Sequence, residues 1–130
     1  MSDFQRHDRL VTTAGGLARL QVSRRGPVTV LGIAGELDIS NIGEVRGVVA
    51  DLSNHELGLV LDFTELEYLD STGISLLYEM ARRLRQRDQE LVVVCPVQAP
   101  PRRAIEITGL GAQTRVFEEL EPAMSALGGD

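Results

Sequence analysis

Six residues have types and spacing that could do chemistry: Asp38, Asp62, Asp70, Ser71, Thr72 and Gly73. Asp70-Ser71-Thr72 stands directly before a stretch with helical apolar spacing, and all three are good capping residues. In its plain reading Ser71 is therefore a helix cap. A hydroxyl there has a second use. The first turn of a helix offers unpaired N–H groups and the positive end of the helix dipole, and both hold anions. A phosphate on Ser71 would add about −1.5 to −2 charges at pH 7 beside Asp70. A partner fitted to the neutral hydroxyl would then face an unpaired, costly charge. Asp38 and Asp62 follow apolar runs, where a strand gives way to a loop or helix. In a parallel sheet such carboxyl ends gather sites. Their plain reading is turn capping or solvation; the sharper ones are an Arg pair or a metal ligand. Three acids together would resemble a Mg²⁺-dependent phosphoacceptor, but all thirteen basic residues are Arg and no Lys completes such a site.

Other chemistries find little footing. Ser71 is not in a Gly-x-Ser-x-Gly elbow, and the histidines, His7 and His55, lie in a lead-in and a loop. Neither Gly-x-x-x-x-Gly-Lys nor Gly-x-Gly-x-x-Gly occurs, so no phosphate loop is written here. The net charge of −6 repels nucleic-acid backbones, and 4% aromatic residues leave few platforms for stacking bases. Cys95 is the single cysteine, which excludes an internal disulfide; it ends an apolar run and reads as a buried, inert thiol. No run approaches the ~18 apolar residues of a membrane span, and Met1–Arg9 lacks an apolar signal core. A cytoplasmic location is expected. Arg82, Arg83, Arg85 and Arg87 read as solvated surface, with a docking patch for an acidic partner as the sharper alternative.

The elements that must position these residues are legible in outline. The length of 130 residues and 43% apolar content suit one globular domain. Residues 1–16 read as a flexible lead-in. Strands are expected at Leu17–Ser23, Val28–Ile33, Leu57–Leu61, Leu91–Cys95 and Val116-Phe117. The first two should form an antiparallel hairpin. Helices are expected from Ser40 or Asn41 to Leu52, over Thr72–Arg87, over Arg102–Thr108 and over Glu118–Leu127. Asn41 with Glu44 has the spacing of a capping box. Glu65–Leu69 reads as a loop. Strands alternating with helices call for a mostly parallel sheet with helices packed against it.

Gly35-Glu36-Leu37-Asp38 before a helix, Leu61-Asp62-Phe63, and Leu69-Asp70-Ser71-Thr72-Gly73 opening another helix together resemble the STAS domain of bacterial anti-sigma factor antagonists. The resemblance covers about residues 17–127, and the domain is taken as 17–130. It implies an α/β fold: a mixed, mostly parallel sheet of four to five strands with helices on one side. It implies a partner switch rather than an enzyme, with no cofactor of its own. In the family, the unphosphorylated antagonist binds an anti-sigma factor with serine kinase activity. That kinase phosphorylates the serine that maps to Ser71, and a metal-dependent serine phosphatase reverses the reaction. Asp38, Asp70, Ser71, Thr72 and Gly73 map to the partner-facing end, with Thr72 as a secondary phosphorylation site. Neither nucleic acid nor a membrane is implied as a partner. The alternatives are an unphosphorylated scaffold subunit of a larger complex and a small nucleotide-binding domain.

Overall fold

Alternation of apolar and polar residues from Ala18 turns one face of the first long strand inward, whereas the continuous apolar runs at 58–61 and 91–94 are buried throughout at the centre of the sheet. The structure, a computed structural model, describes residues 9–52 and 58–128. Its strands are β1 (Arg9–Thr12), β2 (Ala18–Arg25), β3 (Val28–Leu37), β4 (Gly58–Asp62), β5 (Leu66–Leu69), β6 (Glu90–Val94) and β7 (Arg115–Phe117). Its helices are α1 (Ile42–Asp51), α2 (Ser71–Gln86), α3 (Arg102–Ile107) and α4 (Leu120–Ala126). The sheet order is β1-β2-β3-β4-β6-β7, with β5 also paired to β3. β1, β2 and β3 run antiparallel to their neighbours in turn, and every pairing from β3 onward is parallel.

The mixed, mostly parallel α/β sheet agrees with the sequence reading, but it is larger than the expected four to five strands. The two additions are β1 and β5. Arg9–Thr12, read as lead-in, pairs along β2; only Val11 leans on the core, so these residues carry no alternation to betray a strand. Leu66–Leu69, read as a loop, buries its first and last residues and exposes the middle two, too few to set a period. β4 and β5 lie end to end along the same side of β3: Gly32 pairs with Asp62, and Gly35 with Leu66.

Two apolar layers sandwich the sheet. Leu31, Ile33, Leu59, Leu61, Leu91 and Val93 face α1, α2 and α3 through Val45, Val49, Ile74, Leu77, Leu84 and Ile105. Val28, Val30, Val60, Val92 and Val94 project the other way, onto Ala123 and Met124 of α4 and Leu127 just after it. The expectation of helices on one side thus describes α1 to α3, while α4 covers the opposite face. The strands made this necessary. β4 and β6 are apolar at successive residues, and such strands bury both faces.

Gly35 lets β3 change neighbours. It sits at φ +100°, and a Cβ there would meet the Leu17 carbonyl oxygen at 2.2 Å. Its N–H donates to the Glu65 carbonyl at 3.2 Å, while the next N–H, of Glu36, donates back to Leu17 at 2.9 Å. The register of β3 against β5 shifts at this point. Gly35→Ala meets both a left-handed backbone and an immovable carbonyl. It should lower unfolding stability by about 2 kcal/mol or more, read as a fall in the urea midpoint.

Candidate functional site

One local design occurs three times at the carboxyl ends of strands. Asp38-Ile39-Ser40 follows β3, Asp62-Phe63-Thr64 ends β4, and Asp70-Ser71-Thr72 follows β5. In each, one Asp oxygen accepts both the backbone N–H and the hydroxyl of the residue two places on. The N–H distances are 2.9, 3.0 and 3.0 Å, and the hydroxyl distances are 2.5 Å in all three. Asp has the reach for this local bond, which explains its preference for turns and helix starts.

At the third copy the turn opens α2. Asp70 is the N-cap: its Oδ1 accepts the Thr72 N–H at 3.0 Å and the Gly73 N–H at 3.4 Å. The cap expected at Ser71 is therefore supplied one residue earlier. Ser71 becomes the first helical residue, with its side chain exposed. Thr72 is half-buried, and its hydroxyl is spent on Asp70. Gly73 is buried because α2 presses on the end of β5: a Cβ would lie 2.2 Å from Leu69 Cδ1.

Asp38 is brought beside this turn. Leu37 and Leu69 are paired neighbours, and the Asp70 N–H donates to the Leu37 carbonyl at 3.4 Å. The Asp38 loop is held from beneath by Asn41, which is buried. Asn41 Oδ1 accepts the Asp38 N–H at 3.0 Å, and its Nδ2 donates to the Glu36 carbonyl at 2.7 Å. The expected capping box of α1 is not formed. Asn41 is the N-cap residue by position, but its side chain makes no cap hydrogen bond. Glu44 instead accepts the Ala14 N–H, at 3.1 and 3.0 Å to its two oxygens. Ser40 is committed to Asp38. Hydrogen bonds from Ser40, its hydroxyl foremost, hold the Asp38 carboxyl below its ordinary pKa.

Asp62 does not join the pair. Its partner on β3 is Gly32, five residues before Leu37, or roughly 17 Å away at ~3.3 Å per residue. No group of three or more metal-ligating side chains is found among the described residues. His7 and His55 lie outside them. Cys95 is 0% exposed, and burial pushes its thiol up to about 11. Sequence reasoning missed the turn-closing roles of Ser40, read only as a cap candidate, and of Thr64, and it read Asn41 as a helix cap rather than as the buried brace of the Asp38 loop. The repeated Asp-x-Ser/Thr spacing was the signal that could have found the first two.

A shared fold and site invite comparison with known proteins. The STAS domain profile matches residues 19–123. The chain belongs to the STAS domain family. It is 27% identical over 109 residues to the anti-sigma-F factor antagonist RsfB of Mycobacterium tuberculosis, covering 83% of this chain and 88% of RsfB. Among solved structures it is similar to an anti-sigma factor antagonist from Mycobacterium paratuberculosis, with TM-score 0.79, 24% identity and coverage of 85% of this chain and 94% of that one. It is also similar to the anti-sigma factor antagonist SpoIIAA. The unphosphorylated form matches with TM-score 0.69, 20% identity and coverage of 84% and 96%. The phosphorylated form of SpoIIAA, described as a Bacillus cell fate determinant, matches with TM-score 0.60, 21% identity and coverage of 82% and 97%. Among the described residues no helix is long and apolar enough to cross a membrane.

Two outcomes follow from the geometry. Asp70→Ala should lower stability by about 1 kcal/mol, while Ser71→Ala should stay within about 0.5 kcal/mol of the parent, since it removes no cap; denaturant midpoints of the two variants check this. For Asp38 the folded pKa is the depressed one, so its contribution to stability is present above the ordinary value of 3.8 and fades as pH falls through the lower folded value. Ser40→Ala should move the Asp38 carboxyl titration upward, toward 3.8, in a carbon-13 NMR titration.

Proposed function

We propose that this chain is an anti-sigma factor antagonist that works as a phosphorylation-controlled partner switch in the cytoplasm. With Ser71 unmodified it binds an anti-sigma factor that is also a serine kinase, and so releases a sigma factor. The kinase transfers the terminal phosphoryl group of ATP to Ser71. An Oγ–P bond forms, the bond to ADP breaks, and the hydroxyl proton leaves to a base on the kinase. A metal-dependent serine phosphatase returns the hydroxyl by hydrolysis. The chain is a substrate and a ligand in this cycle, and catalysis resides in its partners.

The observation that carries this reading is the division of labour at the start of α2. Asp70 caps the helix, which leaves the Ser71 hydroxyl outward and unneeded for folding. The plain reading of the sequence made Ser71 the helix cap, and the cap is Asp70. The placement also explains how a small group can end binding. Asp38 and Asp70 already bring two carboxylates to this end of the sheet. A phosphate on Ser71 would be held by the helix N-terminus, yet its charge adds to theirs. A surface that fits the uncharged form then meets a dense anionic patch. Ser71 is the phosphorylation site in this reading, not Thr72, whose hydroxyl already serves Asp70. RsfB, named an anti-sigma-F factor antagonist, and SpoIIAA, solved in phosphorylated and unphosphorylated forms, support it by similarity.

Incubation with the cognate kinase and ATP should add one phosphate, mapped to Ser71 by peptide mass spectrometry. Ser71→Ala should keep partner binding and lose the modification. Ser71→Asp should weaken binding at least about tenfold, or 1.4 kcal/mol, in calorimetric titration. Full-strength binding by Ser71→Asp would sink the switch.

A further inference from the structure

A cavity of about 510 Å³ opens at the end of the sheet opposite Ser71, beneath the first residues of β6 and between the ends of α2 and α4. Its polar lining is Arg85, Asp88, Gln89, Glu90, Gln113 and Thr114. Several of these groups are already spent. Glu90 accepts two bonds from the Arg115 guanidinium, at 2.6 and 2.7 Å. The Thr114 hydroxyl donates to the Leu91 carbonyl. Arg85 donates to the Gln113 carbonyl at 3.3 Å, and that bond takes only one arm of its fork. Gln89 is different. Its Oε1 is buried and has no hydrogen-bond donor among the described residues. A buried amide oxygen without a donor is costly, and such atoms are rare in folded chains. The turn that carries it is fixed: the Gln89 N–H donates to the Leu84 carbonyl at 2.8 Å, closing the end of α2. Asp88 holds that turn in the left-handed region, at φ +57°, where glycine is the usual residue. A carboxylate therefore stands where the backbone would be served best by no side chain at all.

We propose that this cavity binds a free α-amino acid. Its volume lies within the ~300–1,000 Å³ of small-molecule sites. The apolar residues that line it, Ala81, Leu91 and Leu127, are buried in the two core layers, so recognition falls to the polar groups. Glu90 and Arg115 neutralise each other. Arg85 and Asp88 then remain in the lining, one charge of each sign. An amino-acid zwitterion carries the same pair. Its carboxylate would take the planar fork of Arg85. Its ammonium would donate to Asp88 and to the stranded Gln89 Oε1. An anion of several charges, such as a nucleotide, would meet Asp88 and Glu90 and is disfavoured. Ser71 and Arg85 stand near the two ends of α2, roughly 21 Å apart at ~1.5 Å per residue, so the site is separate from the Ser71 turn.

The test screens the full chain against the standard L-amino acids at millimolar concentration by thermal shift. At least one should raise the melting temperature. For that amino acid, calorimetry should show one saturable site. Its α-amide, which lacks the carboxylate, and its N-acetyl form, which lacks the ammonium, should each bind at least tenfold more weakly. Arg85→Gln should lose at least tenfold in affinity for the amino acid and none for the α-amide. Asp88→Gly and Gln89→Met should each lose at least tenfold while the ligand-free melting temperature holds or rises. The first relieves a left-handed residue, and the second removes a stranded oxygen. Amide shifts on nitrogen-15-labelled chain should centre on Arg85, Gln89 and Thr114. No rise in melting temperature with any amino acid, undiminished binding of the α-amide or the N-acetyl form, or shifts centred on the Asp38–Ser71 end would each overturn the proposal. So would full affinity in Asp88→Gly and Gln89→Met with a lowered melting temperature, the signature of a purely structural role.

Discussion

The site at the start of α2 depends on one carboxylate oxygen. Asp70 Oδ1 gathers the N–H of Thr72, the hydroxyl of Thr72 and the N–H of Gly73. A helix must have these first donors satisfied, and a residue of the right reach must do it from outside. Once Asp70 does so, the chain enters α2 at a fixed angle. Ser71 is turned outward, and Gly73 is pressed onto Leu69. Asp70 is itself placed by β5, whose pairing to β3 sets it next to Asp38. The cap, the sheet register and the exposed hydroxyl are thus one constraint seen at three scales.

That constraint explains what was legible in the sequence. The hairpin strands, α1 and α2 carry clear apolar spacing, and β4 and β6 are continuous apolar runs, because each buries at least one face. The short α3 buries only Ile105 and is marked instead by the prolines before it and the glycines after it. The identity of the capping residue was less legible. Asp70, Ser71 and Thr72 are all competent, and only backbone geometry selects among them. β1 and β5 were missed because neither buries enough side chains to print an alternation; backbone pairing with a neighbour holds them instead. The capping box at Asn41 and Glu44 failed for a related reason. Both side chains found partners distant in the sequence or in a neighbouring loop, at Glu36, Asp38 and Ala14. Local spacing proposes such bonds, and tertiary structure decides who receives them.

The two faces of the sheet divide the labour. The layer under α1, α2 and α3 is the larger, and it anchors α2 along its whole length through Ile74, Leu77, Ala81 and Leu84. The layer under α4 closes the other side with valines and Met124. A helix fixed in this way cannot easily tilt when its first turn gains charge. A phosphate on Ser71 would therefore be read at the surface where it sits, by whatever is docked there, rather than through a rearranged core.

The threefold turn has a consequence for selectivity. Its middle residue is Ile39 in the first copy, Phe63 in the second and Ser71 in the third. Ile39 is 77% exposed and carries no oxygen, while Phe63 is 0% exposed. The closing hydroxyls of Ser40, Thr64 and Thr72 are each engaged by their own aspartate. At the Asp38–Ser71 end, therefore, two turns of the same shape stand side by side with Ser71 as the hydroxyl that no aspartate engages, while the Asp62 turn lies farther back along β3. A kinase acting at this end would find the choice among Ser40, Ser71 and Thr72 already made by the turns themselves.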